Sequence, residues 1–432
     1  MTPHFLVVAL GTLGDVLPFI GIGAELRRRG HEVTVLANPH FRDRVLAAEL
    51  GFAALGTIDD YRQLVTDAAL WDWKTFRERA FVHWQITVEP SFNAITELHR
   101  PGRTILVTSL NDGAHLAHER LAIPLAVVVH VPFFMPSRLD PPHPPRPLPR
   151  WARWFTRDGR RLGLLYRVRD HVRRLQAPIR GQRPGYTRFH EAVSTFRSRH
   201  GEPSTGSSDT AVAAPSLIIG TWPEWFAPPQ PDWPARTTVT GFPFTPPLQA
   251  GLDGGRERGG EGGDPRPVVF TTGSTAVAQH EFFALAAETC RLLQRPGILV
   301  SRDATQVPKD LPPRVTHVEH APFASLFPAA AAVVHHGGIG TTAYAFAAGI
   351  PQLIKPLVND QYDTANRVER LGAGTMLDAT HLRPSRLARV LDRTLNSPEI
   401  ASRCRYWRSR VDPVAGIVRS ADLIETLSGP ET

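Results

Sequence analysis

Two histidines, three glycines and two threonines fall within one stretch, His335-His336-Gly337-Gly338-Ile339-Gly340-Thr341-Thr342. The apolar run before it, residues 329–334, has the length of a buried strand, and the Ala-rich run after it, residues 344–348, reads as a helix. Glycines and hydroxyls thus stand where a strand hands over to a helix. The first amides of a helix lack internal partners, and the helix dipole makes that end positive. Glycine lets a phosphate approach the backbone, and threonine hydroxyls add donors. His336, Gly338, Gly340, Thr341 and Thr342 therefore form a candidate diphosphate cradle. The competing reading is a Gly-rich turn that only packs, and Gly-Gly alone would favour it.

The continuation speaks for the cradle. Gly349-Ile350-Pro351 opens a second apolar run, residues 352–357, and Asn359-Asp360-Gln361 follows it. Open α/β sheets bind ligands at the carboxyl ends of their strands. A carboxylate beside an amide, Asp360 with Gln361, offers the acceptors and donors that adjacent sugar hydroxyls need. Diphosphate and polyol contacts within one strand–helix–strand unit point to a nucleotide-sugar.

These groups need a scaffold, and the start of the chain supplies a second one. Residues 5–10 read as a buried strand, Gly11-Thr12-Leu13-Gly14-Asp15 as a tight turn, 16–29 as a helix closed by Gly30, and 31–37 as the next strand. This is the opening of a Rossmann-like domain. It lacks a full G-x-G-x-x-G and an acidic residue ending the second strand, which disfavours a dinucleotide site. Asp15 has two readings: helix N-cap, or general base at the crevice edge of the sheet. Asn111 and Asp112 end another strand, 104–108, at the same edge, as structural groups or acceptor contacts. Pro132-Phe133-Phe134 reads as the apolar lip of an acceptor site. Residues 59–99 carry helical patterns with Trp71, Trp73, Phe76, Phe81 and Trp84, most simply core packing.

A chain of 432 residues is long for one core and suits two domains. Its two cysteines, Cys290 and Cys404, imply no disulfide framework and fit a reducing cytoplasm. No stretch reads as a signal peptide or membrane span, so a cytoplasmic protein is expected. The net charge of +8 comes with no nucleic-acid motif, and solvated arginine faces account for it. Residues 150–188 combine arginines with aromatics. They read as an amphipathic helix pair with a solvated face, or as a basic apolar entrance in peripheral contact with an anionic membrane. Glycine and charge alternate over 249–265, as in a linker. The expected division is an N-terminal acceptor domain 1–245, a linker 246–266, a donor domain 267–410 and a terminal helix 411–432. In the donor domain Gly273-Ser274-Thr275 precedes a helix whose N-terminus is a second candidate phosphate site.

The run 335–374, with HHGGIGTT, GIPQLIKP, NDQ and NRVERLGAG, resembles the nucleotide-sugar signature of family 1 glycosyltransferases. The most similar branches are bacterial rhamnosyltransferases of rhamnolipid synthesis, sterol glucosyltransferases, and macrolide or flavonoid glycosyltransferases. The resemblance implies a GT-B fold, two Rossmann-like α/β domains facing across a cleft, with the last helix crossing back to the first domain. It implies Asp15 as base, Ser274 as a phosphate contact, and His320 with the Ala321 backbone as the nucleobase site. Asp112, Phe133 and Phe134 fall on the acceptor side. Where plant members hold the ribose with Glu this chain has Tyr344, and Phe323 replaces a Gln. The implied reaction moves a hexose, with inversion, from a UDP- or dTDP-sugar to a hydroxyl of an apolar lipid, sterol, polyketide or phenol. The choice of nucleotide, of glucose or rhamnose, and of oligomeric state stays open. The donor half has no Asp-x-Asp, so no metal and no cofactor beyond the nucleotide-sugar co-substrate is expected. An inactive activator protein and a nucleotide-sugar epimerase are the alternatives.

Overall fold

The computed structural model describes residues 2–72, 74–143, 184–201, 214–245, 265–273, 279–377 and 382–428, with only the backbone of 77 and 184–190. The first strand, β1 (His4–Ala9), is buried at every position, as a strand covered on both faces must be. After it come α1 (Leu13–Arg28), β2 (Glu32–Ala37), α2 (Arg42–Ala47), β3 (Gly51–Ala54), α3 (Ile58–Thr66), α4 (Phe76–Leu98), β4 (Thr104–Thr108), α5 (Asp112–Leu121), β5 (Leu125–Val129), α6 (Pro184–Arg199), β6 (Leu217–Gly220) and β7 (Thr237–Val239). The seven strands form one parallel sheet in the order β3-β2-β1-β4-β5-β6-β7.

The second half repeats the plan. It runs β8 (Val268–Thr271), α7 (His280–Leu293), β9 (Gly297–Val300), β10 (Val315–Val318), α8 (Phe323–Leu326), β11 (Ala332–His335), α9 (Ile339–Ala348), β12 (Gln352–Ile354), α10 (Gln361–Arg370), β13 (Gly374–Met376), α11 (Pro384–Leu395), α12 (Pro398–Arg408) and α13 (Ala415–Glu425). Its six parallel strands lie in the order β10-β9-β8-β11-β12-β13. In each sheet the strand order reverses between the first strand and its neighbour on the other side, β1/β4 and β8/β11. Loops diverge there and open a crevice. Asp15 and Asp112 follow one reversal; Gly273 and the 336–340 segment follow the other.

Aromatic side chains join the halves. Trp225 stacks on Trp407 with centroids 4.9 Å apart, and Phe242 stacks on Phe346 at 6.4 Å. The last helix, α13, leaves the second half and lies on α1. Its approach is so close that a Cβ on Gly416 would fall 2.2 Å from the Phe242 carbonyl oxygen. Arg29 of the first half pairs with Asp422 and Glu425, and His31 also reaches Glu425. Among the described residues no helix is long and apolar enough to cross a membrane. Cys290 and Cys404 are free and buried.

One expectation holds only in part. Trp71, Phe76, Phe81 and Trp84 are all half-buried, and of these Trp84 packs against the main core. Helix α4 sends Val88, Phe92 and Ile95, spaced for one face, into the core. Trp84 packs at the edge of that core, and Phe81, one turn earlier, stacks on it at 5.7 Å. Trp73 lies outside the described residues, as do most of the 246–266 linker and of the Arg-rich segment.

Candidate active site

Asp15 is not the N-cap of α1; Thr12 is, and Asp15 is three residues further on. The two close a reciprocal turn. Asp15 Oδ2 accepts from the Thr12 amide at 2.8 Å and from Thr12 Oγ1 at 2.9 Å. Gly11 makes room for the carboxylate: its φ is +107°, and a Cβ there would fall 2.6 Å from Asp15 Oδ2. One carboxylate oxygen is thus fixed by the turn, while no described group occupies Oδ1. The capping reading and the base reading are compatible, because they use different oxygens.

The candidate cradle lies between β11 and α9, with Gly338 as the N-cap. His335 is fully buried: its Nε2 is 3.1 Å from Gln352 Oε1 and its Nδ1 accepts from the Gly337 amide at 3.2 Å. It orients the turn from below. His336 is wedged between two glycines, since a Cβ on Gly273 or on Gly338 would come within 2.5 Å of its ring. Burial pushes its pKa down to about 4, so the ring is neutral and offers one N–H. Its Nδ1 is buried without a partner among the described residues. The direction from Gly340 is open for 4 Å, where the α9 N-terminus faces outward. Thr342 departs from expectation. It is fully buried, and its hydroxyl donates to the Gly338 carbonyl at 3.1 Å, because the fourth position of α9 faces the sheet. Thr341 is also buried. The backbone end of α9, rather than its hydroxyls, is what this turn presents.

Gly337 brings the cradle against the next loop; with φ at +102°, a Cβ there would lie 3.1 Å from the Gln361 carbonyl oxygen. Gln361 Oε1 accepts from the amides of Leu357 and Val358 at 2.9 and 3.3 Å, which fixes that loop. Asp360 is the N-cap of α10. Burial raises its pKa to about 7, and the charges of Asp15 and Asp363 add to the rise. On the acceptor side Asn111 caps α5 through the Ala114 amide, and Asp112 Oδ2 accepts from the Trp84 indole at 2.7 Å. Phe133 and the exposed Phe134 form an edge-on pair, and their turn touches α10. His320 is exposed and Ala321 half-buried on the loop between β10 and α8. Tyr344 packs edge-on against Phe244 and Phe323, so no carboxylate stands at that place. Ser274 lies outside the described residues. Among the described residues no cluster of His, Cys, Asp or Glu has a metal-holding arrangement.

Two groups escaped the sequence reading. His130, just past β5, places its ring 5.1 Å from Phe19, one turn along α1 from Asp15. Its Nδ1 is 3.0 Å from Thr221 Oγ1. Burial lowers its pKa, against the opposing pull of Asp15. A lone histidine after a strand carries no motif that could have flagged it. The second group is an ion network around Arg367. The Asp363/Arg367 spacing signals a helical pair, but not its partner in the other half.

Comparison with known proteins follows this geometry. Residues 5–138 match the glycosyltransferase family 28 N-terminal domain, and residues 297–409 match the erythromycin biosynthesis protein CIII-like C-terminal domain. The O-mycaminosyltylonolide 6-deoxyallosyltransferase of Streptomyces fradiae is 27% identical over 440 residues, covering 97% of this chain and 96% of that one. The sterol 3-beta-glucosyltransferase of Pichia angusta is 25% identical over 443 residues, 98% of this chain but 33% of its own length. Among solved structures, the glycotransferase of kitacinnamycin superposes with a TM-score of 0.71 at 20% identity, covering 99% of this chain and 100% of its own. Glycosyltransferase VinC in complex with dTDP gives 0.61 at 18%, covering 98% and 99%. Two parallel-sheet domains, each with its reversal point, give the chain the GT-B fold of these structures. The chain belongs to the family 1-like glycosyltransferases, with the macrolide enzymes among its relatives.

Proposed function

We propose that the chain transfers a hexose, with inversion, from a nucleoside diphosphate sugar to a hydroxyl of an apolar small molecule, with Asp15 as general base. The observation that carries this is the Asp15 carboxylate, fixed through one oxygen by Thr12 and coupled across the cleft to Asp360. Asp15 Oδ1 takes the proton of the acceptor hydroxyl. The acceptor oxygen forms its bond to the anomeric carbon as the bond from the anomeric carbon to the phosphate oxygen breaks. The electron pair leaves with the diphosphate. The α9 N-terminus and the neutral His336 ring stabilise the charge gathering there, as oriented donors in a preformed site do. Asp360 and the amide nitrogen of Gln361 hold the sugar hydroxyls. Helix donors supply what a cation would, so turnover is expected without added metal.

The half-buried aromatics of α4 with Phe133 and Phe134 suit an apolar acceptor. For the nucleotide we favour dTDP over UDP. Tyr344 offers no carboxylate to chelate a pair of ribose hydroxyls, and VinC is described in complex with dTDP. The Streptomyces fradiae relative, a deoxyallosyltransferase, supports a deoxyhexose. The test is calorimetric titration of the protein with dTDP and with UDP, without metal. Micromolar affinity with a preference for dTDP is expected. Binding of neither nucleotide would overturn the donor site and turn attention to a non-enzymatic partner.

A further inference from the structure

A buried ion network lies outside the cradle and outside the base. Arg367, 4% exposed, sits two turns into α10. Its Nε donates to Asp363 Oδ2 at 2.8 Å on the same helix, and its Nη1 donates to Asp140 Oδ2 at 2.8 Å from the first domain. Arg370 donates to the other Asp140 oxygen at 2.9 Å. Asp363 Oδ1 accepts from the backbone amide of His143 at 2.8 Å. Burial alone would raise the Asp140 carboxyl, but Arg367 and Arg370 outweigh it and keep it ionised. Two carboxylates and two guanidiniums are therefore satisfied across the domain boundary.

A buried ion network is poor evidence of stability, since apolar side chains of equal volume often serve as well. Its distinctive property is geometric: paired forks fix direction and register. The segment it grips runs from His130, beside Asp15, through Phe133 and Phe134 to Asp140 and His143. Along the way the Trp233 indole donates to the Met135 carbonyl at 2.9 Å, and Asp232 accepts from Ser137 and from the Arg138 amide at 2.7 Å each. The helix it grips begins with Gln361, capped by Asp360. One strap thus links the helix of the base to the helix of the sugar-holding residues.

We propose that Asp140 and Arg367 are positioning residues for the transfer, which set the first domain's strap in register on α10 and so hold the acceptor hydroxyl in line with the sugar. The proposal rests on the glycosyl-transfer reading for its kinetic part only. The probe is the pair variant D140N/R367Q, which removes one charge of each sign but also takes a partner from Asp363 and from Arg370, so R367K, which keeps the charge, serves as the conservative variant. With a dTDP-sugar that the wild type turns over, kcat of the pair variant should fall at least tenfold and the acceptor KM rise. The calorimetric Kd of dTDP should stay within twofold, and R367K should recover part of kcat. Spin labels at Leu46→Cys and Leu292→Cys, both exposed and in different domains, should give one narrow distance in the wild type and a broadened one in the pair variant. An unbroadened distance, or wild-type kcat and KM whatever the melting temperature, would overturn the proposal. Failure of the wild type to bind dTDP or UDP would instead refute the transferase reading, and the distance measurement would still decide whether the network sets the register.

Discussion

Asp15 and Asp360 come from opposite domains and face each other across the cleft. Burial carries the Asp360 pKa up to about 7, and the Asp15 carboxylate pushes it the same way. A sugar hydroxyl donating to Asp360 favours the ionised form. Donor-sugar affinity should therefore rise with pH, most steeply around 7, with proton release on binding. Free dTDP lacks the sugar, so its own pH profile, set by the terminal phosphate, should be unchanged by Asp360→Asn. Calorimetry in buffers of different ionisation enthalpy checks this; Asp360→Asn should flatten the donor-sugar profile, and Asp15→Asn should move its midpoint down. The same shift has a stability sign. The folded pKa exceeds the ordinary aspartate value of about 4, so this group costs stability as pH rises from about 4 to 7.

Asp15→Asn should cost about 10²- to 10⁴-fold in kcat, the usual yield of a positioned base. An Asn carbonyl still accepts from Thr12, so the helix start stays closed and the melting temperature should hardly move. Donor affinity should stay near the wild-type value at high pH. Turnover that survives the substitution would take the base role from Asp15.

His336→Ala should weaken dTDP binding about tenfold or more, the worth of a hydrogen bond to a charged group. Because burial keeps the ring neutral down to about pH 4, the shape of the dTDP affinity profile between about pH 5.5 and 8, set by the terminal phosphate, should be the same in wild type and His336→Ala. Gly273→Ala tests the same ring from the other side. Its new methyl meets His336 in a backbone conformation of φ +83°, so it should mimic the loss of His336. Wild-type affinity in both variants would remove the histidine from the phosphate site.

Gly416→Ala concerns the fold alone. The methyl would strike the carbonyl oxygens of Phe242 and Gly241, which cannot rotate away as a side chain could. A loss of about 1–3 kcal/mol is expected from such overpacking, read as a lower denaturation midpoint. Gly340→Ala is the control: its Cβ meets nothing within 4 Å.

The sequence was most legible where chemistry and backbone share a short segment. The 335–342 turn, the turn before Asp15 and the loop at Asp360 each join a strand to a helix; glycine spacing marks the first two, and the polar Asn359-Asp360-Gln361 after an apolar run marks the third. It was less legible where side chains choose between two faces. Thr342 reads as a donor, yet its place on α9 turns it inward. The aromatics of α4 read as core, yet they are only half-buried, and of them Trp84 packs at the core's edge. Partners far apart in sequence left no signal. Arg367 and Asp140 meet only because both domains fold, and Trp225 finds Trp407 in the same way.

The return of α13 to α1 has a mechanical consequence. The backbone passes between the two lobes once between β7 and β8 and again between α12 and α13. The second crossing is seated, with Gly416 against the Phe242 carbonyl and Arg29 on Glu425. A twist of one lobe against the other strains both contacts together, whereas a swing about this seat spares them. Under the roles proposed for Asp15 and Asp360, such a swing returns the two carboxylates to each other along one arc.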